Sequence, residues 1–225
     1  NEINNYNEIL DEYIKEKTSY EESLFLNSKK LHEMRISIAN ILEDRINKEL
    51  KYIGMEKSNF KVSILEKDEF FKNGCDKVEF LISTNPGEPL KPLGKIVSGG
   101  ELSRIMLAIK TAFADKDEIP SIIFDEIDIG ISGRVAQSVA EKMYSISKEH
   151  QVFCVTHLAQ IAVFSDNHFL VEKNVVENET FTKVTKLKKD KKVEEIAKMI
   201  GGKSVTKITI DNANEMINMA NRVKS

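Results

Sequence analysis

The chain has 225 residues, of which 31% are charged and 41% hydrophobic, and a formal net charge of −3. That composition excludes a disordered tail and fits one sizeable core, or a domain with an extension; the near balance of charge excludes a uniformly basic nucleic-acid binder but leaves a local patch open. The two cysteines, Cys75 and Cys154, lack metal-ligand spacing and favour reduced thiols in a cytoplasmic compartment, no apolar run is long enough for a membrane span, and NEINNYNEIL does not have the pattern of a signal peptide.

Residues 1–53 contain no proline or glycine, and apolar residues recur at alternating steps of three and four. Ile3, Tyr6, Leu10, Tyr13, Tyr20, Leu24, Leu31, Met34, Ile38 and Ile41 fall on one heptad seam, interrupted by Lys17, Asn27, Arg45 and Lys48. A straight helix of that length is about 75 Å long at 1.5 Å per residue, which overshoots a compact domain of this size. The pattern predicts a coiled-coil arm in preference to a helix lying on its own domain, with no obvious partner helix elsewhere in the chain. Gly54 ends it. FKVSIL and KVEFLIS then alternate like half-buried strands around a KNGCD turn, and TNPGEPLKPLG reads as a loop.

The loop delivers KIVSGGELSRIMLAIK. Ser98 and Glu101 stand in the S-x-x-E relation of a capping box, so a helix is predicted over 101–115 with Leu102, Ile105, Met106, Ile109 and Phe113 inward. Gly99 and Gly100 cost backbone entropy there, which suggests that something approaches bare backbone, and a helix N-terminus seats anions such as phosphate. Ile122–Phe124 and Val152–Val155 are continuous apolar runs of the kind buried on both faces of a parallel sheet. Between them RVAQSVAEKMYSISKEH reads as a helix with Val135, Val139, Met143 and Ile146 inward, giving a βαβ unit. Polar residues after both strands therefore leave from one sheet edge, where α/β proteins bind ligands. HFLVEK and FTKVTKL suggest a hairpin around VENET, followed by helical segments near 191–200 and 211–222.

Asp125 and Glu126 close the first buried strand, and His157 follows the second. A carboxylate at a strand tip can hold Mg²⁺ through water, and its neighbour can orient or deprotonate an attacking water. Singly, these are also what a solvated strand end and a structural histidine look like. Their placement on one edge beside a glycine-opened helix points to a phosphate and metal site. GGKS at 201–204 imitates the end of a G-x-x-x-x-G-K-[ST] loop, but position 197 is Ala197 and EEIAKMI before it is helical, so Gly201 and Gly202 read as a helix terminus. No other phosphate-wrapping lysine loop occurs in the sequence.

VSGGE resembles the signature motif of ABC-type ATPases, IIFDE their Walker B strand and VTH their switch-histidine segment, in that order. The longer strings NPGEPLKPLGKIVSGGELSRI, FDEIDIGISG and CVTHLAQIA are similar to the C-terminal half of the RecN family, SMC-like ATPases of bacterial DNA repair, over about residues 70–205, and the heptads resemble the returning arm of that family's coiled coil. The resemblance implies an α/β fold: the C-terminal lobe of an ABC/SMC-type ATPase head, mainly parallel sheet flanked by helices with antiparallel strands at its margins, behind a long arm helix. It implies a division into an arm helix, 1–54, and a head lobe, 55–225. It also implies a longer polypeptide whose N-terminal half supplies the Walker A loop and the other arm helix, a second head in a homodimer, and DNA as partner, in the cytoplasm at the bacterial nucleoid, with no membrane.

By the same resemblance Ser98, Gly99, Gly100 and Glu101 reach the γ-phosphate of ATP held by the second head, Asp125 assists Mg²⁺, Glu126 activates water and His157 senses or polarises the γ-phosphate. This chain alone is then expected neither to bind ATP tightly nor to hydrolyse it. One departure is Ser132, six residues after Glu126, where ABC and SMC proteins usually carry aspartate. Three alternatives stay open: the head half of another SMC-family ATPase, a metal-dependent nuclease or phosphoesterase using Asp125, Glu126, Asp128 and His157, and a non-catalytic coiled-coil scaffold. KVTKLKKDKK, residues 183–192, suits either a DNA phosphate backbone or a charged strand edge guarded against aggregation.

Overall fold

One helix, α1, runs Glu2–Tyr52 and ends where Gly54 turns the chain at φ +79. Met55 N–H bonds Leu50 C=O and Gly54 N–H bonds Lys51 C=O, a Schellman closure of the helix end. A Cβ on Gly54 would meet both γ-methyls of Val135 at 2.7 Å, so glycine is needed there for space as well as for dihedral. The computed structural model describes residues 2–113, 119–176, 179–202 and 204–225. These form two compact units: residues 1–47 with 58–94, and residues 48–57 with 95–225.

In the first unit the heptad residues Tyr6, Leu10, Tyr13, Tyr20, Leu24, Met34, Ile38 and Ile41 are exposed, as are Ile9, Ile14, Phe25, Leu26 and Ile36 outside that heptad series. The base of the helix carries an antiparallel sheet in the order β1 (Asn59–Phe71), β2 (Gly74–Ser83), β3 (Lys91–Pro92). β1 is longer than the sequence suggested, with an irregularity between Glu66 and Phe71. β3 lies inside the expected loop; a strand of two residues has no readable periodicity. Asn47 binds Phe60 both ways, accepting from its N–H at 2.8 Å and donating to its C=O at 3.0 Å. Asp76, with no exposed side-chain surface, accepts from Arg35 at 2.9 Å and pairs with His32 at 2.6 Å.

The second unit contains the parallel pair β4 (Ser121–Phe124) and β5 (Gln151–Cys154), in register Phe124↔Cys154. Helix α2 (Gly99–Phe113) precedes β4, and α3 (Gly133–Ile146) crosses between the two strands. After β5 come a short α4 (Ala159–Ala162), the hairpin β6 (Phe169–Val176) and β7 (Glu179–Lys186), then α5 (Lys189–Gly201) and α6 (Lys207–Lys224). Two residues of the expected hairpin turn, 177–178, lie outside the described residues, as do 114–118 at the end of the helix expected over 101–115 and Lys203 of the GGKS string. Gly202, at φ +71, closes α5 as a helix end.

Among the described strands the parallel pairing is limited to β4 and β5, and antiparallel strands outnumber them. The expectation that both runs are buried on both faces does not hold: Phe124 is buried, but Ile123 is 72% exposed and Phe153 and Val155 are also exposed. One side of the pair packs within this unit and the other is open. On α2 the inward face is Arg104, Ile105, Leu107, Ala108 and Ile109, while Met106 and Phe113 face out. The helix starts at Gly99 instead of residue 101, and its buried side includes Gly100 and Arg104, which face the loop after β4. On α3 the inward set is Ala136, Val139, Ala140, Met143 and Ile146, with Val135 half-buried.

Candidate phosphate and metal edge

The carboxyl ends of β4 and β5 emerge side by side, and Val155 N–H bonds Phe124 C=O at 3.0 Å just beyond the last paired residues. Asp125 and Glu126 leave from one tip and His157 from the other, and all three are exposed. Asp125 Oδ1 accepts from the Glu126 N–H at 2.9 Å, which fixes the turn. Glu126 sits at φ +59, the only left-handed residue other than glycine among the described residues. Such a conformation costs of order 1–3 kcal/mol and persists only when its surroundings hold it.

Here α2 does the holding. Ser103 Oγ donates to Asp125 C=O at 2.8 Å, and the Arg104 guanidinium donates to Ile127 C=O at 3.3 Å and Ile129 C=O at 2.8 Å. Arg104 is buried, and its Nε has no partner among the described residues. Burial pushes its pKa down, against a nearby Glu101 that raises it. Burial also pushes the Cys154 thiol up to about 12, assisted by Asp128 and Asp125, so Cys154 stays an unreactive thiol.

The glycines now have a structural cause. A Cβ on Gly100 would come within 3.0 Å of Glu126 C=O and of Ile129 Cβ, and within 3.1 Å of Ile129 C=O; a Cβ on Gly99 would meet Glu126 Oε2 at 2.1 Å. What approaches the bare backbone is first of all the loop after β4 of the same chain. Gly100 is buried against it, whereas Ser98 and Gly99 remain exposed at the helix doorway. Ser98 Oγ accepts from Glu101 N–H at 3.4 Å, the serine half of the expected capping box.

Asp128 departs most from the sequence reading. Its side chain is 4% exposed, and Oδ2 receives Thr156 Oγ1 at 2.6 Å and the His157 N–H at 2.8 Å, with His157 Nδ1 at 3.0 Å. A carboxylate so enclosed does not present itself to a shared metal as Asp125 and Glu126 can, which removes a ligand from the nuclease alternative. No group of three or more His, Cys, Asp or Glu residues is arranged to hold a metal among the described residues. Ser103, Arg104 and Thr156 were not singled out from the sequence. Arg104 lies opposite the face expected to be inward, so helical periodicity gave no signal for it, and nothing singles out Ser103 or Thr156 within the strings that contain them. Ser132 precedes α3 as its N-cap residue without a side-chain cap bond.

In fold the chain is similar to part of a solved Smc head domain. A solved Smc head with coiled coil and joint from Pyrococcus yayanosii matches 72% of this chain and 29% of that one at a TM-score of 0.51, with 20% identity, a likeness of fold alone. No family model matches the chain. In sequence the chain is similar to the DNA repair protein RecN, and to its C-terminal half. It is 46% identical over 205 residues to RecN of Halalkalibacterium halodurans, covering 89% of this chain and 36% of that protein. It is 42% identical over 239 residues to RecN of Bacillus subtilis, covering 100% of this chain and 42% of that protein. The chain thus spans about two fifths of the curated relatives it matches.

Proposed function

We propose that the chain acts as the C-terminal lobe of a RecN-like ATPase head in DNA double-strand break repair and recombination. The observation that carries this is the joining of the helix doorway to the β4 and β5 tips by contacts of this chain itself: the glycines admit the Glu126 loop, Arg104 and Ser103 hold it, and Asp128 ties it to His157. Exposed Ser98, Asp125, Glu126 and His157 are left at one edge.

Those residues fit ATP and Mg²⁺. The exposed Ser98 hydroxyl and N–H groups of the first turn of α2 donate to a γ-phosphate brought by a second head. Asp125 holds Mg²⁺ through water, and the bound ion supplies charge neutralisation on the phosphates. Glu126 orients the attacking water and takes its proton. His157 contacts the γ-phosphate from the other strand tip. The Walker A loop comes from the N-terminal half of the same polypeptide, which also brings the second arm helix for the exposed seam of α1. The functional division is arm helix, 1–54, and head lobe, 55–225, which cuts across the two compact units.

In this scheme ATP joins two heads of a homodimer and its hydrolysis releases them, with DNA as the macromolecular partner and the cytoplasm, at the nucleoid, as the setting. No described helix is long and apolar enough to cross a membrane. The test is to mix this chain with the N-terminal portion of its own full-length protein. ATP-dependent association and hydrolysis are expected from the mixture and from neither part alone. ATP turnover by this chain alone that Glu126→Gln abolishes would overturn the shared-site reading.

A further inference from the structure

Asp125, Glu126 and His157 are exposed at the strand tips, yet Asp128, in contact with His157, is shut away with its side chain 4% exposed. Its hydrogen bonding at this edge converges on Oδ2, which accepts from the Thr156 hydroxyl at 2.6 Å and from the His157 N–H at 2.8 Å, and the His157 ring Nδ1 lies at ion-pair distance from the same oxygen, 3.0 Å. The Thr156 hydroxyl in turn accepts from Leu158 N–H at 3.0 Å, so its proton is directed to Asp128. The backbone that carries Asp128 is held on both sides, at Ile127 C=O and Ile129 C=O, by the buried Arg104. The His157 ring itself is 74% exposed, and an imidazole so open to water has no packing to hold its orientation.

We propose that Asp128 is the positioning residue of the nucleotide site, a buried carboxylate that holds the backbone and the ring of His157 together so that Nδ1 faces inward and Nε2 faces the bound triphosphate. This rests on the reading of His157 given above. The carboxylate lies 3.0 Å from Nδ1, which draws that side of the ring inward and leaves Nε2 as the ring atom offered outward. Because the same oxygen holds the peptide N–H of His157, the β5 tip and the loop after β4 move as one piece.

The test uses the full-length protein with MgATP and the variants D128A, H157A and D128A/H157A. D128A is expected to lower kcat about ten- to a hundredfold, toward the scale of a lost positioned acid or base, with KM for ATP and ATP-dependent association of heads changed less than about twofold. In the H157A background D128A is expected to cost nothing more, since a residue that acts through another loses its effect once the other is gone. Where D128A does not fold, the same cycle is run with D128N, which keeps the size and one acceptor oxygen and is expected to lie between wild type and H157A. In a crystal structure of the nucleotide-free D128A protein, or of D128N where D128A does not fold, the His157 ring is expected to leave its position. Wild-type kcat in the Asp128 variant, full additivity with H157A, or an unmoved ring overturns the proposal. If H157A itself keeps wild-type turnover, the reading of His157 fails and this inference fails with it.

Discussion

The two compact units both use buried polar side chains, but to different ends. In the first, Asp76 is enclosed by His32 and Arg35, and Asn47 satisfies both backbone groups of Phe60. Every group in those contacts is used to bind α1 to β1 and β2. In the second, Asp128, Arg104 and Ser103 are spent on loop backbone, and what they leave outside are Ser98, Asp125, Glu126 and His157. Buried charge in the first unit fixes how a helix sits on a sheet; in the second it fixes where unburied groups point. The lesson is that a buried acid identifies a site only when its partners lead to groups that remain free to meet a ligand.

The largest effect expected from this contrast is at Glu126. Glu126→Gln in the full-length protein is expected to remove the proposed base and to lower ATP turnover by about 10²–10⁴-fold, with ATP-dependent association kept; undiminished turnover in a steady-state assay would sink its assignment. Next is Ser98→Arg, which fills the exposed doorway of α2 and is expected to weaken ATP-dependent association about tenfold or more, roughly 1.4 kcal/mol, as read by light scattering. An unchanged association constant would favour a scaffold role. Arg104→Met is third: it strips the donor from Ile127 C=O and Ile129 C=O, and about 1–3 kcal/mol is expected for a buried group left unpaired. That variant should lower both the denaturation midpoint and turnover, since the Glu126 turn loses its hold.

The smallest effect on activity is expected in the first unit. Asp76→Asn should cost about 1–2 kcal/mol of stability in denaturant unfolding and leave turnover unchanged; a change in turnover would break the contrast between the units. Burial alone would raise the Asp76 pKa, but hydrogen bonds and charge from Arg35 and His32 outweigh it and hold the carboxyl below its ordinary 3.8. A depressed carboxyl stabilises fully above its unfolded pKa and loses that contribution as pH falls through the lowered value. Wild type should therefore lose stability below about pH 4 more steeply than Asp76→Asn; parallel acid limbs would remove Asp76 from the account.

Much of the architecture was legible in the chain. Heptad spacing and the absence of proline and glycine marked α1, the apolar runs marked β4 and β5, and the glycine at 54 marked a helix end. These are local properties, set by side-chain periodicity and backbone permissiveness. The motifs around Ser98, Asp125 and His157 were legible too, through their order and their placement at helix and strand ends. Other features depended on contacts between distant segments. On α2 Leu107 is buried and Met106 exposed, the reverse of the expectation for Met106, because the helix packs on a loop some 25 residues further on. Asp128 looked like one more exposed acid in DEID and is instead enclosed by residues 28 and 29 positions away. Composition and period determined the longer elements of this protein, since each follows from the chain's own near neighbours, while β3 and α4 are too short to show a period. Only the tertiary structure decided which acids are open and which are closed, because exposure is a property of what the rest of the chain brings alongside.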